Sequence, residues 1–272
     1  MLFLQAFALS AASCYMYASR RKINQGEMKM QAAKENITII LNKPKFAGNV
    51  GAVARCAKNM GMEKIYVVAG DHLDREEMRP QATHVAAELV ANIRYFGSLE
   101  EALSGFQYIV GTTARIGFAR GPVVTPRQMA EKIVGVSQEN SVALLFGAED
   151  RGLTNDELRW CHLLVNIPTG GFTSLNLSHA VMILCYEILV TETGVAAFTP
   201  KLATAAELEG MYDQMGDLLQ KIGFLNKENP DYWMMHIRRF LSRTHLQARE
   251  VKIMRGICRQ LVWYEGNKSK SA

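Results

Sequence analysis

Short apolar runs alternate with helical patterns along the first two thirds of the chain. Ile37–Leu41, 65–69, 108–112, 141–146 and Leu163–Ile167 read as buried strands, and Arg94–Phe96 as a shorter one. Between them, Asn49–Met60 has helical periodicity and stops at Gly61, a natural residue to follow a helix. Helical patterns also cover Leu99–Ser104 and 126–134, and Thr154-x-x-Glu157 forms a capping box that opens a short helix. A long apolar helix is predicted over Ser174–Thr191. Strands alternating with helices imply an α/β fold, a parallel sheet with helices on both faces.

The pattern changes after Thr191. Residues 195–204 read as a linker, and three helices are predicted beyond it, over 204–221, 229–242 and 246–264. The middle one opens Asn229-Pro230, an N-cap followed by proline at the first helical position. The expected division is therefore an N-terminal extension (1–35), an α/β domain (36–194), the linker, and a basic helical extension (205–272).

Charge sharpens this division. The chain of 272 residues carries a formal +5, yet from Asn229 onward nine basic residues face three acidic ones, a net of +6. A nearly neutral body with a basic tail suits a polyanionic partner, with RNA or DNA ahead of an anionic membrane. The five cysteines are widely spaced with no C-x-x-C, which argues against a zinc site or disulfide framework and fits a reducing cytoplasm. Residues 2–18 are apolar and precede Arg20, Arg21 and Lys22. The stretch has no basic residues in front and is short of the ~20 residues a span requires. With Met28 and Met30 just before the first strand, an over-extended start is the preferred reading, a weak anchor its rival, and no stable membrane association is expected.

Candidate chemistry lies at the carboxyl ends of the predicted strands, where open α/β sheets bind ligands. The loops are 48-GNVGAVAR-55, 111-GTTAR-115, 146-FGAEDRGLTNDEL-158 and 167-IPTGGFTSLNLSHA-180. Glycines in the first loop suggest close backbone approach to a ligand at a helix N-terminus. A dinucleotide fold is one alternative, supported by Asp71 standing 20 residues after Gly51. Its glycine spacing is G-x-x-G rather than G-x-G-x-x-G, and the preceding turn is long for such a fold.

Asn49, Gly51 and Arg55; then Phe146, Gly147, Glu149, Gly152 and Leu153; then Ile167, Pro168, Ser174, Leu175, Asn176, Ser178 and Ala180 match three ordered motifs. Through them the chain resembles the SPOUT-class (TrmH-like) RNA ribose 2′-O-methyltransferases from about Ile37 to Thr191. Within that class it is most similar to the bacterial enzymes acting on cytidine or uridine 32 of the tRNA anticodon loop. The resemblance continues into the tail at GFLNKENP and 252-KIMRGI-257.

The resemblance implies a deep trefoil knot in the C-terminal part of the sheet, a homodimer with a shared active site, S-adenosylmethionine as cofactor, tRNA as partner and no metal. It implies cofactor contacts from Thr112, Thr113, Ala114, Gly147, Ile167, Thr173, Ser174 and Leu175. Arg55, Ser174 and Asn49 become the catalytic candidates. Glu149 is expected to orient a loop or pair with Arg55, and Ser174 to cap the final helix as well as act in the site. His179 is expected in the core, as are Tyr232, Trp233 and Trp263, with RNA stacking as the alternative for those three aromatics. A neutral guanidinium is excluded by a pKa above ~12, so Arg55 is expected to clamp a phosphate and offset developing negative charge. The competing functions are an NAD-dependent oxidoreductase and a non-catalytic RNA-binding paralogue.

Overall fold

A computed structural model describes residues 30–69, 72–114, 123–171, 174–192, 200–225 and 229–268. Seven strands form one sheet: β1 (Ile37–Asn42), β2 (Ile65–Val68), β3 (Arg94–Phe96), β4 (Tyr108–Thr112), β5 (Val123–Val124), β6 (Val142–Phe146) and β7 (Leu163–Val165). Their order is β3-β2-β1-β6-β4-β7-β5, and every pairing is parallel. This is the expected α/β sheet, with β5 and the helices over 75–91 added. Those helices lie in a polar, proline-containing stretch that offers little apolar periodicity.

The strands are apolar on both faces because both faces are covered. Ile37, Ile39 and Leu41 join one hydrophobic cluster, and Ile40 between them joins another. The first cluster packs beneath helices α1 (Ala47–Asn59), α5 (Pro126–Val136) and α7 (Leu177–Val190). The second includes α4 (Leu99–Leu103) and α6 (Asn155–Leu158). Helices α2 (Arg75–Ala82) and α3 (Ala87–Ala91) lie beside α1.

Two boundaries differ from expectation with consequences for function. Helix α1 begins at Ala47, so Gly48 and Gly51 lie inside the helix rather than in a ligand-cradling turn. A Cβ on Gly51 would overlap the Met78 carbonyl of α2, so this glycine serves helix–helix packing. Helix α7 begins at Leu177 and is capped by Asn176, which accepts from the Ser178 backbone N–H at 2.8 Å. Ser174 therefore stands outside the helix and is not its cap.

The C-terminal helices are α8 (Ala205–Lys221), α9 (Pro230–Ser242) and α10 (Ala248–Lys268), packed through Met211, Met215, Leu218, Val251 and Cys258. The capping box at Thr154 and the Asn229 N-cap have the expected hydrogen bonds, and Thr204 forms a further capping box with Glu207. The described end of the 195–204 segment is tied to the sheet domain. Leu202 N–H donates to Asn140 Oδ1 at 2.8 Å, and Ala205 N–H to the Phe106 carbonyl at 2.9 Å. His245 lies against Tyr108, whose other ring neighbour is His162, so the helical unit also touches β4.

Candidate active site

Because the strands are parallel, the loops after β1, β4, β6 and β7 leave one edge of the sheet. Registers such as Leu41 opposite Phe146 and Thr112 opposite Val165 bring their ends level. There the loops after β4, β6 and β7 enclose a cavity of about 290 Å³. Its walls include Thr112, Thr113 and Ala114 from one loop, Gly147 to Leu153 from the next, and Ile167, Ser174 and Leu175 from the last. Leu177 and Ala180 of α7 line it as well.

Each wall is held by local chemistry. The first is pinned by Thr113 N–H donating to the Val165 carbonyl at 2.9 Å and Asn166 Nδ2 donating to the Thr113 carbonyl at 2.9 Å. The 147–153 loop folds back tightly, with Ala148 bridged to Gly152. A Cβ on Gly147 would overlap the Gly152 carbonyl and Leu153 nitrogen, and Gly152 adopts φ +66°. Only glycine meets both demands at no steric cost. The third wall turns at Gly171, with φ +109°, whereas a Cβ on Gly170 would meet nothing within 4 Å.

A chain of side-chain hydrogen bonds links the three motifs near the cavity. Ser178 Oγ donates to Asn176 Oδ1 at 2.7 Å, and Asn176 Nδ2 donates to Asn49 Oδ1 at 3.1 Å. Asn49 Nδ2 in turn donates to Glu149 Oε1 at 2.9 Å. The other Glu149 oxygen accepts from the Lys45 backbone N–H at 2.8 Å. Glu149 thus orients a loop, one of the two roles expected of it, and its partners are Asn49 and Lys45 rather than Arg55. Lys45 Nζ also donates to Asp150 at 2.6 Å, and this contact holds the Asp150 carboxyl below its usual range.

The expected site residues fall into three groups. Thr112, Thr113, Ala114, Gly147, Ile167, Ser174 and Leu175 all line the cavity, with Ser174 exposed. Asn49 reaches that region only through its hydrogen bonds to Glu149 and Asn176. Arg55 projects from α1 into solvent, does not line the cavity and forms no ion pair among the described residues. Thr173 and Asp71 lie outside the described residues. His179, expected in the core, is exposed on α7 because the buried face runs through Leu177, Val181, Leu184 and Ile188.

No grouping of His, Cys, Asp and Glu among the described residues could hold a metal ion. No helix among them is long and apolar enough to cross a membrane. Burial raises the thiol pKa values of Cys56, Cys161 and Cys258 and pushes that of Cys185 up to about 12. These groups are inert packing rather than nucleophiles.

Residues 36–186, more than half of the chain, match the family model described as the SpoU rRNA Methylase family. The chain belongs to the SpoU family. Residues 206–271 match a second model, the C-terminal domain of the tRNA methyltransferase TrmJ. Among curated SpoU-type relatives is the tRNA (cytidine/uridine-2′-O-)-methyltransferase TrmJ of Sodalis glossinidius. It is 33% identical over 234 residues, covering 82% of this chain and 89% of the relative. The enzyme of the same name from Photorhabdus laumondii is 34% identical, with 82% and 95% covered. Among solved structures, TrmJ from Z. mobilis ZM4 superposes with a TM-score of 0.72 at 28% identity, covering 82% of this chain and 98% of that one. A probable methylase family protein from Haemophilus influenzae gives 0.54 at 28% identity, with 86% and 99% covered.

Sequence reasoning missed several members of this SpoU-type site. Lys45 precedes the first motif and carries no motif signature, so only the fold reveals its grip on Glu149 and Asp150. Leu177 falls within the apolar run read as a packing helix, and Ala180 is a motif residue without a place among the expected cavity contacts. Their spacing of three places both on one helix face, a usable signal once the cavity's direction is known.

Proposed function

We propose that this chain is an S-adenosylmethionine-dependent methyltransferase acting on the ribose 2′-hydroxyl of tRNA, at position 32 of the anticodon loop. The single observation that carries the proposal is the meeting of the second and third motifs around one ligand-sized cavity, with the first motif tied to both through the Ser178–Asn176–Asn49–Glu149 hydrogen-bond chain. The activities named for the curated relatives supply the substrate class.

The residues present fit the cofactor. The cavity volume is close to the ~300 Å³ at which small-molecule pockets begin. Its lining mixes backbone and threonine polar atoms with Leu153, Ile167 and Leu175, as an adenosine requires, and Glu149 and Asp150 suit a cationic ligand. Thr112, Thr113, Ala114, Gly147, Ile167, Thr173, Ser174 and Leu175 are assigned to hold it. When bound, it supplies an activated methyl group on its sulfonium. Ser174 orients the ribose hydroxyl, and Asn49 keeps the Glu149 and Asn176 loops in register. Arg55 clamps the neighbouring phosphate with its two-pronged guanidinium and offsets charge developing on the attacking oxygen. The proton leaves to a phosphate oxygen or to solvent.

Arg55 stands away from the cavity of its own chain, which supports a homodimer whose partner completes each site. Helix α7 offers a face for it: His179, Tyr186 and Val190 share one side at helical spacing and are all exposed. The chain after β6 is assigned the trefoil-knot path of the family. The domains are 36–194 for catalysis and 205–272 for tRNA binding, joined through 195–204, with 1–35 as an extension and the cytoplasm as the compartment. Calorimetry with S-adenosylmethionine, followed by mass spectrometry of tRNA nucleosides after incubation with protein and donor, tests the proposal. Donor uptake and a 2′-O-methylated pyrimidine are expected. Absence of either overturns it.

A further inference from the structure

Helix α9 packs along one side only. Met234, Ile237 and Leu241 face α8 and α10, and the Arg238 guanidinium lies 4.4 Å above the Tyr212 ring while pairing with Glu209. None of the helix's residues is buried. On the opposite side Tyr232, His236, Arg239 and Arg243 follow one another at spacings of four, three and four, a single line along the helix. Trp233 and Phe240, seven apart, run beside it. Tyr232, Trp233 and Phe240 are 50, 48 and 66% exposed. The Tyr232 ring lies 4.6 Å from His236 at 72° and 6.0 Å from Trp233 at 83°, so these three rings form a connected surface, with Phe240 a turn further along. The only acid on the helix is Asp231, in its first turn.

The expectation that Tyr232, Trp233 and Trp263 belong to the core fails, since Trp263 is 61% exposed. The core positions of α9 are taken by Met234, Ile237 and Leu241, which leaves the aromatics on the far side of the helix. Large rings held in water among guanidinium groups match a specific occupant. Unpaired nucleotides offer flat π faces to stack on such rings and phosphates to meet the arginines.

We propose that this outer face of α9 is a stacking platform for unpaired nucleotides of the RNA, with Tyr232, Trp233 and Phe240 receiving bases and Arg243 a phosphate between them. The platform rests on the reading of RNA as substrate, but not on the methyl-donor cavity, which none of these residues lines. Charge complementarity favours RNA over a second copy of the chain, because each copy would bring the same positive tail to the contact.

The test uses the full chain and two synthetic RNAs with equal numbers of phosphates, an anticodon-stem hairpin with its unpaired loop and a blunt duplex. Tyr232→Ala and Phe240→Ala are each expected to weaken hairpin binding about tenfold. Duplex binding and the salt dependence should stay unchanged, and Tyr232→Phe should retain hairpin affinity. Arg243→Ala should weaken both RNAs and reduce the salt slope by about one. The hairpin should quench tryptophan fluorescence, and Trp233→Phe should abolish that quenching. Ring-deleted variants that bind the hairpin like the unaltered protein would overturn the platform, as would equal losses for hairpin and duplex. So would a change of oligomeric state in sedimentation, which would assign the face to a second copy. Failure to bind S-adenosylmethionine, with hairpin preference intact, would remove the methyltransferase reading and leave the platform standing.

Discussion

Asn176 donates its side-chain amide to Asn49 Oδ1 across 3.1 Å, joining the cap of α7 to α1 over 127 residues of chain. Asn176 also caps its own helix through Ser178, and Asn49 passes the contact on to Glu149. One pair of carboxamides thus holds three loops in register. Asn176→Ala should destabilise the fold by about 1–2 kcal/mol, since a cap and a long-range bond are lost together. Asn49→Ala should cost about 1 kcal/mol. Urea unfolding of both single variants and the double variant should give a sum of single effects larger than the double effect, because they share one bond. Additive effects would show that the contact carries no energy.

Glycine substitutions separate ligand architecture from fold architecture. Gly51→Ala and Gly147→Ala should each destabilise by more than about 2 kcal/mol, because backbone rather than a pliable side chain stands where the Cβ must go. Gly147→Ala should also abolish donor binding, since Gly147 lines the cavity. Gly170→Ala, with open space around it, should change stability by less than about 0.5 kcal/mol. Thermal unfolding and donor calorimetry on the three variants read out both properties.

Arg55→Lys keeps the charge but loses the fork, so turnover should fall about 10- to 100-fold while donor affinity stays unchanged. In the proposed homodimer, the Arg55 and Ser174 of one site come from opposite protomers. Mixing inactive Arg55→Ala and Ser174→Ala proteins and allowing subunit exchange should therefore restore activity, because one site of each mixed dimer is intact. No restoration would place both residues in the same chain's site.

The contact between the helical unit and β4 should weaken in acid. Burial pushes the pKa of His162 down to about 4, and burial also lowers that of His245. A histidine kept neutral in the folded state binds fewer protons than in the unfolded chain. Stability should therefore be fully present above the unfolded pKa of ~6.5 and fall as pH drops toward 4. The His162 contribution is at most about 3 kcal/mol, reduced by the part of the ring that still meets solvent. Urea midpoints from pH 7.5 to 4.5 should decline, and His162→Gln should flatten that decline.

The fold class was legible because the strands announce themselves. Ile37–Leu41 and 141–146 are apolar on both faces, which only a covered parallel sheet requires. The capping box at Thr154 and the N-cap at Asn229 set helix starts that the structure keeps. Gly48, Gly51 and Ser174 were misread because a local pattern does not say which neighbour approaches. For Gly51 it is α2 that approaches, and Ser174 lost its cap to Asn176 two residues later. Lys45 was invisible, since its partners Glu149 and Asp150 lie about a hundred residues away.

The order of residues by itself determined most of the secondary elements, the caps at Thr154 and Asn229, the basic tail and the three motifs, because each depends on neighbours within a few positions. Tertiary structure decided that β6 stands between β1 and β4, that three loops close one cavity, that Arg55 does not line it and that the α9 aromatics face water. Those outcomes depend on which apolar faces find each other in space, a competition among distant segments that no local periodicity encodes.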